Sequence, residues 1–293
     1  MKKIIFIALL LTSGSMIAQL PNTEIWLFKC GTASGLYEVR DGANITNTSG
    51  YDNQPSFSEN GSYMLFTGNR DSNETDIFRY SLIDKATTRV TKTAYSEYSP
   101  TYMTGNKYIS SVVVEKDSVQ RLWRFGKTSG IGQVMVPKVY QVGYHCWFDA
   151  NTLFFFQVTE PAVLLLYDTK SGVSKIVAEN IGRCMQTYHS PKMKLLLYTT
   201  VDTSGTYWIK SMSGLGVKDI TFNPIKMVGE SQDFSVDLNG NLLMCDGTKL
   251  YQWSIGKSTA WSLLTDLSTY GLHKITRMAI SPDRTHIAFV DNL

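Results

Sequence analysis

The chain has 293 residues with 28 Lys+Arg against 25 Asp+Glu, a formal net charge of +3. So small a balance gives no basic footprint for nucleic acid. The hydrophobic share of 43% and aromatic share of 12% are ample for a packed core, and the length suits either two ordinary domains or one large all-β domain.

In chain order, the first element is a processing signal. Lys2 and Lys3 precede an unbroken apolar run from Ile4 to Leu11, and residues 12–18 turn small and polar. This is the three-part pattern of a secretory signal peptide, expected to be cut after Ala18. The run is too short to span a bilayer, and no Cys follows it to carry a lipid. Loss of Lys2 and Lys3 would lower the formal charge from +3 to +1. The expectation is therefore residues 1–18 as signal and residues 19–293 as one domain, secreted or periplasmic, of a Gram-negative kind.

Short runs rich in Val, Ile, Tyr, Phe and Thr fill the rest, with almost no helical periodicity. Glu24–Phe28 and the stretch Leu36–Thr46 read as two strands. The clearest unit then begins at Asp52: DNQPSFSENGSYMLFTGNRDSNETDIFRYSLIDKATTRVTK. It reads as an inner strand ending at Phe57, then strands at Tyr63–Phe66, Asp76–Ser81 and Thr88–Thr91. Asn60-Gly61 and Asp71-Ser72-Asn73 supply turn chemistry.

The unit recurs with a trackable phase. Ser58, Met103, Phe148, Ser190, Asp237 and Ser281 each follow an inner strand, at spacings of 45, 45, 42, 47 and 44 residues. Four short strands per 40–50 residues is the signature of propeller blades. After Ser281 only His286–Asp291 remains as a strand, so the two ends each supply part of one blade. The expectation is an all-β, six-bladed β-propeller of four-stranded antiparallel blades, closed by pairing N- and C-terminal strands, which leaves no open sheet edge.

QPSFSENGSYMLFTGNRDSNETDIFRYSL resembles the TolB-type, WD-like propeller repeat, roughly PxFSPDGxxIxFxSxRDGxxDIYxxDL, and ITRMAISPDRTHIAFV matches its first half. Over residues 97–265 spacing carries the comparison. The resemblance covers the propeller only: members of the TolB family add an N-terminal α/β domain for which this chain has no room. It implies periplasmic docking of protein partners on the propeller, and it transfers scaffold positions rather than docking residues.

Repeat phase places a ring of polar residues near the start of the inner strands, around the axis. They are Asp52 and Gln54, Glu97, Tyr144 and His145, Arg183 and Gln186, Glu230 and Asp233, and Arg277. From these the candidate ligand-binding set is Gln54, Glu97, Tyr144, His145, Arg183, Gln186, Asp233 and Arg277. One reading is a polar funnel for an ion, a sugar or a peptide end; the other is a water-filled channel whose residues satisfy one another. Tyr144-His145 beside Glu97 could form an acid–base pair.

No cofactor is expected. Of four histidines (145, 189, 273, 286), only His145 falls near the axis, so the histidine cluster that holds a divalent metal in propeller lyases with such repeats is missing. Asp71, Asn73 and Asp76 resemble a short calcium loop but lack the Gly and terminal Glu of an EF-hand and equally suit a hairpin turn. There is no GxSxG elbow. Cys30, Cys146, Cys184 and Cys245 show no CxxC spacing and read as reduced, buried hydrophobes, although Cys146 and Cys184 fall on neighbouring inner strands. Trp123, Trp147, Trp208 and Trp253 read as inter-blade packing, with a sugar-stacking platform as the alternative. The expected function is a non-catalytic scaffold holding an envelope protein, peptide or glycan at the channel mouth. The alternative is a carbohydrate-active lyase or hydrolase working in the channel.

Overall fold

The computed structural model describes residues 20–70, 74–105, 107–191 and 193–293. Six four-stranded antiparallel sheets radiate from one axis. Their inner strands are Asp52–Phe57, Ser96–Tyr102, Val142–Trp147, Ile181–His189, Phe234–Val236 and Ile275–Ile280, numbered blades 1 to 6. Each of the six phase markers is the residue that immediately follows one of these strands. In blade 1 the fourth strand is Ala86–Arg89, two residues earlier than its sequence pattern suggests. Thr91 instead lies beyond the strand and bonds sideways. Among the described residues one 3-10 turn, Leu267–Tyr270, interrupts the all-β pattern. None holds a helix long and apolar enough to cross a membrane.

Blade 6 is assembled from both ends of the chain. Its strand order is Ile275–Ile280, His286–Asn292, Thr23–Ala33 and Leu36–Asn44. The joining register runs from Thr23 opposite Asn292 to Lys29 opposite His286. The inner two strands are thus C-terminal and the outer two N-terminal.

Second strands carry nearly continuous apolar runs because they are covered on both faces. Successive side chains point to opposite faces of a strand, so each run serves two different seams. Leu195 and Leu197 pack toward blade 5, whereas Leu196 and Tyr198 pack toward blade 3. Leu243 and Cys245 face blade 6, and Leu242 and Met244 face blade 4. The apolar core is therefore six clusters, one in each seam between neighbouring blades. Cys30 and Cys245 share the seam between blades 5 and 6, Cys184 sits in the next, and all four cysteines are free thiols.

Close packing in a seam leaves one glycine no room to vary. A Cβ on Gly42 would run into the ring of Phe28, which is fully buried. Gly42→Ala is expected to cost about 1–3 kcal/mol of stability through overpacking, read as a lowered urea midpoint with an unchanged slope.

Two seams also carry the same polar latch. Between blades 6 and 1, Thr23 Oγ1 donates to the Asp52 carbonyl at 3.0 Å, and Ile25 N–H donates to Thr46 Oγ1 at 2.9 Å. Between blades 1 and 2, Thr75 Oγ1 donates to the Glu97 carbonyl at 2.9 Å, and Ile77 N–H donates to Thr91 Oγ1 at 2.8 Å. Thr48 then donates to Asp52 Oδ2 at 2.7 Å, as Thr93 donates to Glu97 Oε1. The pairs Thr46/Thr91, Thr48/Thr93 and Asp52/Glu97 repeat at the blade spacing of 45 residues. Buried donors and acceptors are matched in this way because an unmatched one costs about 1–3 kcal/mol.

Candidate functional site in the central channel

Five of the six inner strands reach the axis with a break in their pairing. Register shifts fall between Asn53 and Ser56, Tyr98 and Thr101, Val142 and Tyr144, Ile181 and Met185, and Ile275 and Arg277. Such bulges bend a strand and re-aim its side chains. In blades 1 and 2 the bulge residues Gln54 and Ser99 hold left-handed backbone, with φ of 59° and 53°, each directly before a proline. Gln54 Oε1 accepts from Ser99 N–H at 2.7 Å, tying the two bulges together.

These strands enclose a cavity of about 570 Å³, open on the face formed by the turns between first and second strands. That size lies within the usual range for small-ligand sites. Gln54, Tyr144, Arg183, Gln186, Asp233 and Arg277 all line it. Arg183 of blade 4 donates through Nε to Asp233 Oδ2 of blade 5 at 2.8 Å, again through Nη2, and from Nη2 to the Thr276 carbonyl of blade 6 at 3.0 Å. Arg277 Nη1 lies 3.5 Å from Asp233 Oδ1. From the opposite side of the ring, Tyr144 of blade 3 accepts from Arg277 Nη2 at 2.7 Å, and the guanidinium lies over its ring at 5.0 Å. Four blades thus meet in one ion-paired cluster on the channel floor. Burial pulls the Arg277 pKa down, but the Asp233 charge together with Tyr144 and Tyr51 outweighs it, so the guanidinium is held above its usual range and stays charged.

Glu97 is not in the channel. Its side chain is fully buried in the seam between blades 1 and 2, accepting from Thr91 at 2.8 Å and from Thr93. Burial raises its pKa to about 7. Repeat phase located it on the right strand, but its position before the bulge turns it into the seam. Asp52, its counterpart, is buried likewise and pairs with Arg70 at 2.6 Å. Glu230 is exposed in the connection before blade 5.

His145 touches the cavity wall, yet its ring is buried between blades 2 and 3, with Nε2 at 2.7 Å from Ser110 Oγ. Ser110 also accepts from Trp147 Nε1 at 2.9 Å. Burial lowers the His145 pKa to about 3, so the ring is neutral at physiological pH. His145 and Glu97 therefore lie in different seams and form no acid–base pair. Cys146 and Cys184 also line the cavity but are not bridged; Cys146 lies 3.4 Å from Thr187 Oγ1, and burial raises its thiol to about 11.

Sequence reasoning missed Tyr51, whose phenol is buried, its pKa raised by that burial and drawn back in part by the Arg277 charge. It also missed the rim, where Glu59, Asp149 and Lys194 line the mouth and Lys194 lies over the Phe148 ring at 4.8 Å. The rim residues stand in or just after the turns, one to four positions past the phase markers, which is the signal that could have found them. Of the calcium candidates, Asp71 and Asn73 lie outside the described residues, and Asp76 is buried and paired with Arg89. No group of three or more metal-ligating side chains occurs among the described residues. Trp123 packs on Phe125 and Tyr95, and Trp253 on Trp261. Trp208 instead points outward, with its Nε1 donating to Asp202 at 2.9 Å.

No protein-family model and no curated protein matches the sequence. Among solved structures, a putative TolB from Agrobacterium tumefaciens is similar over 93% of this chain and 99% of its own, with TM-score 0.66 at 14% identity. A gluconolactonase from Xanthomonas campestris is similar over 94% of this chain and 97% of its own, with TM-score 0.61 at 8% identity. An oligogalacturonate lyase solved in complex with manganese is similar over 92% of this chain and 86% of its own, with TM-score 0.51 at 12% identity. Repeat phase, blade closure and these likenesses agree on the fold, that of a TolB-like six-bladed β-propeller.

Proposed function

We propose that this chain is a secreted or periplasmic binding scaffold that holds a protein, peptide or glycan at the channel mouth without altering it chemically. The observation that carries the reading is how the channel engages its own ionisable groups. Asp233 is shared by two guanidiniums, and Arg277 also holds the Tyr144 hydroxyl. His145 is kept neutral in a seam. Groups fixed in this way orient and attract a ligand, whereas an acid–base catalyst must be free to exchange a proton near the working pH. The basic and apolar pattern of residues 1–18 supports export, leaving residues 19–293 as one propeller domain. The TolB resemblance supports a protein partner from the envelope.

A second reading draws on the likeness to a gluconolactonase and an oligogalacturonate lyase: a carbohydrate-active enzyme using the same channel. One experiment separates them. The protein is screened by thermal shift against peptides, sugars and sugar lactones, with and without divalent cations, and each ligand is then recovered and chromatographed. The scaffold reading expects a raised melting temperature with the ligand recovered unchanged. It also expects the shift to vanish in the Arg183→Ala, Arg277→Ala double variant. Conversion of a sugar or lactone would overturn it.

A further inference from the structure

We infer that the channel floor is a carboxylate-binding site, formed by Arg183 and Arg277 around Asp233. The inference rests on the scaffold reading for the place of binding and adds the chemistry of the bound group.

Charge counting is the first argument. Among the described residues two guanidiniums face one carboxylate on the floor, leaving one positive charge uncompensated where the arginine side chains are only 30% and 14% exposed. Desolvated charge without a partner is costly, so an arriving anion completes the cluster. Hydrogen-bond counting gives the second argument. Arg183 uses Nε and Nη2 on Asp233 and Thr276, and Nη1 finds no acceptor among the described residues. Among the described residues Arg277 donates only from Nη2, to Tyr144; its Nη1 faces Asp233 at 3.5 Å as an ion pair without a hydrogen bond, and its Nε is unused. The unused N–H groups sit on charged guanidiniums, whose hydrogen bonds to a carboxylate are charge-assisted and stronger than neutral ones. They lie at the base of a cavity large enough for several linked groups behind the anion. Positive charge is also concentrated at the base of the cavity: Asp149 stands beside Lys194 at the mouth, whereas the floor carries two guanidiniums against one carboxylate, so the anionic end of a ligand points inward.

A carboxylate of this kind is either the C-terminal end of an extended peptide or the acid group of a uronic sugar. The test compares matched pairs at constant ionic strength: triglycine against its C-terminal amide, and galacturonate against galactose, by calorimetric titration. At least one carboxylate is expected to bind at least tenfold more tightly than its neutral partner, and the pair that shows this identifies the source. Arg183→Gln is expected to weaken that binding about tenfold. Asp233→Asn, which frees both guanidiniums, is expected to tighten it about tenfold, a gain that misfolding does not produce. The inference is overturned if neither carboxylate outbinds its neutral partner, or if both variants leave the preference unchanged. Neutral ligands that bind the channel equally well would sink the carboxylate site and leave the scaffold reading standing. Turnover of galacturonate would do the reverse.

Discussion

Deletion of Pro282–Leu293 is expected to abolish cooperative unfolding, leaving a chain without a defined thermal midpoint. The deleted strand, His286–Asn292, is the one that joins the two ends, paired to Ile275–Ile280 on one side and Thr23–Ala33 on the other. Its side chains alternate between two seams: Ile287 and Phe289 pack toward blade 5, and Ala288 and Val290 toward blade 1. All four are fully buried. Burying a large apolar side chain stabilises by about 1.5–3 kcal/mol, and the seven-residue register adds main-chain hydrogen bonds on both sides. The loss approaches the whole stability of a typical domain, about 5–15 kcal/mol, and it opens two sheet edges to aggregation. Circular dichroism against temperature and urea checks this. A wild-type midpoint would refute closure by this strand. Phe289→Ala is the graded control, expected to cost about 3–5 kcal/mol while keeping the fold.

Glu97→Gln is expected to change the pH dependence of stability. Burial raises the Glu97 pKa from 4.5 to about 7. Between those values the folded protein holds a proton that the unfolded chain has released, so wild-type stability falls as pH rises through the window and is flat above it. At about 1.4 kcal/mol per pH unit the loss is about 3 kcal/mol. The Asp76 charge adds to the rise at Glu97, and the Asp76 pKa is itself raised by burial, so the step belongs to the pair. Asp52, raised by burial to about 6, acts in the same direction. His145, lowered by burial to about 3, acts oppositely, losing stability as pH falls below 6.5. The wild-type profile therefore sums slopes of both signs, and the difference between variant and wild type is the informative curve. That difference is expected to climb in the variant's favour by about 3 kcal/mol from pH 4.5 to 7 and to stay level outside. Urea titrations at half-unit pH steps read it, and a level difference throughout would show that Glu97 does not titrate in the seam.

Fold-level features were legible in the sequence because they depend on local chemistry that repeats. A strand covered on both faces must be apolar at every position, and a tight turn must be Asn-Gly or its equivalent. Ser58, Met103, Phe148, Ser190, Asp237 and Ser281 therefore mark six strand ends with no knowledge of contacts. The count of strands at the two ends likewise forced a shared blade, since an unpaired sheet edge is the costly alternative. The site was only partly legible. Repeat phase named Gln54, Tyr144, Arg183, Gln186, Asp233 and Arg277 as channel residues, and they line one cavity. It could not separate these from Glu97 and the ring of His145, which stand on the same strands. Side chains alternate sides at every residue, and a bulge shifts that alternation by one. The bulges arise from the fit between neighbouring blades, which no single repeat encodes. Sequence alone thus determined how many blades there are, where each begins and how the ring closes. Only the tertiary structure decided which polar side chains face the axis, because that depends on bulge geometry and on partners 50 to 133 residues away.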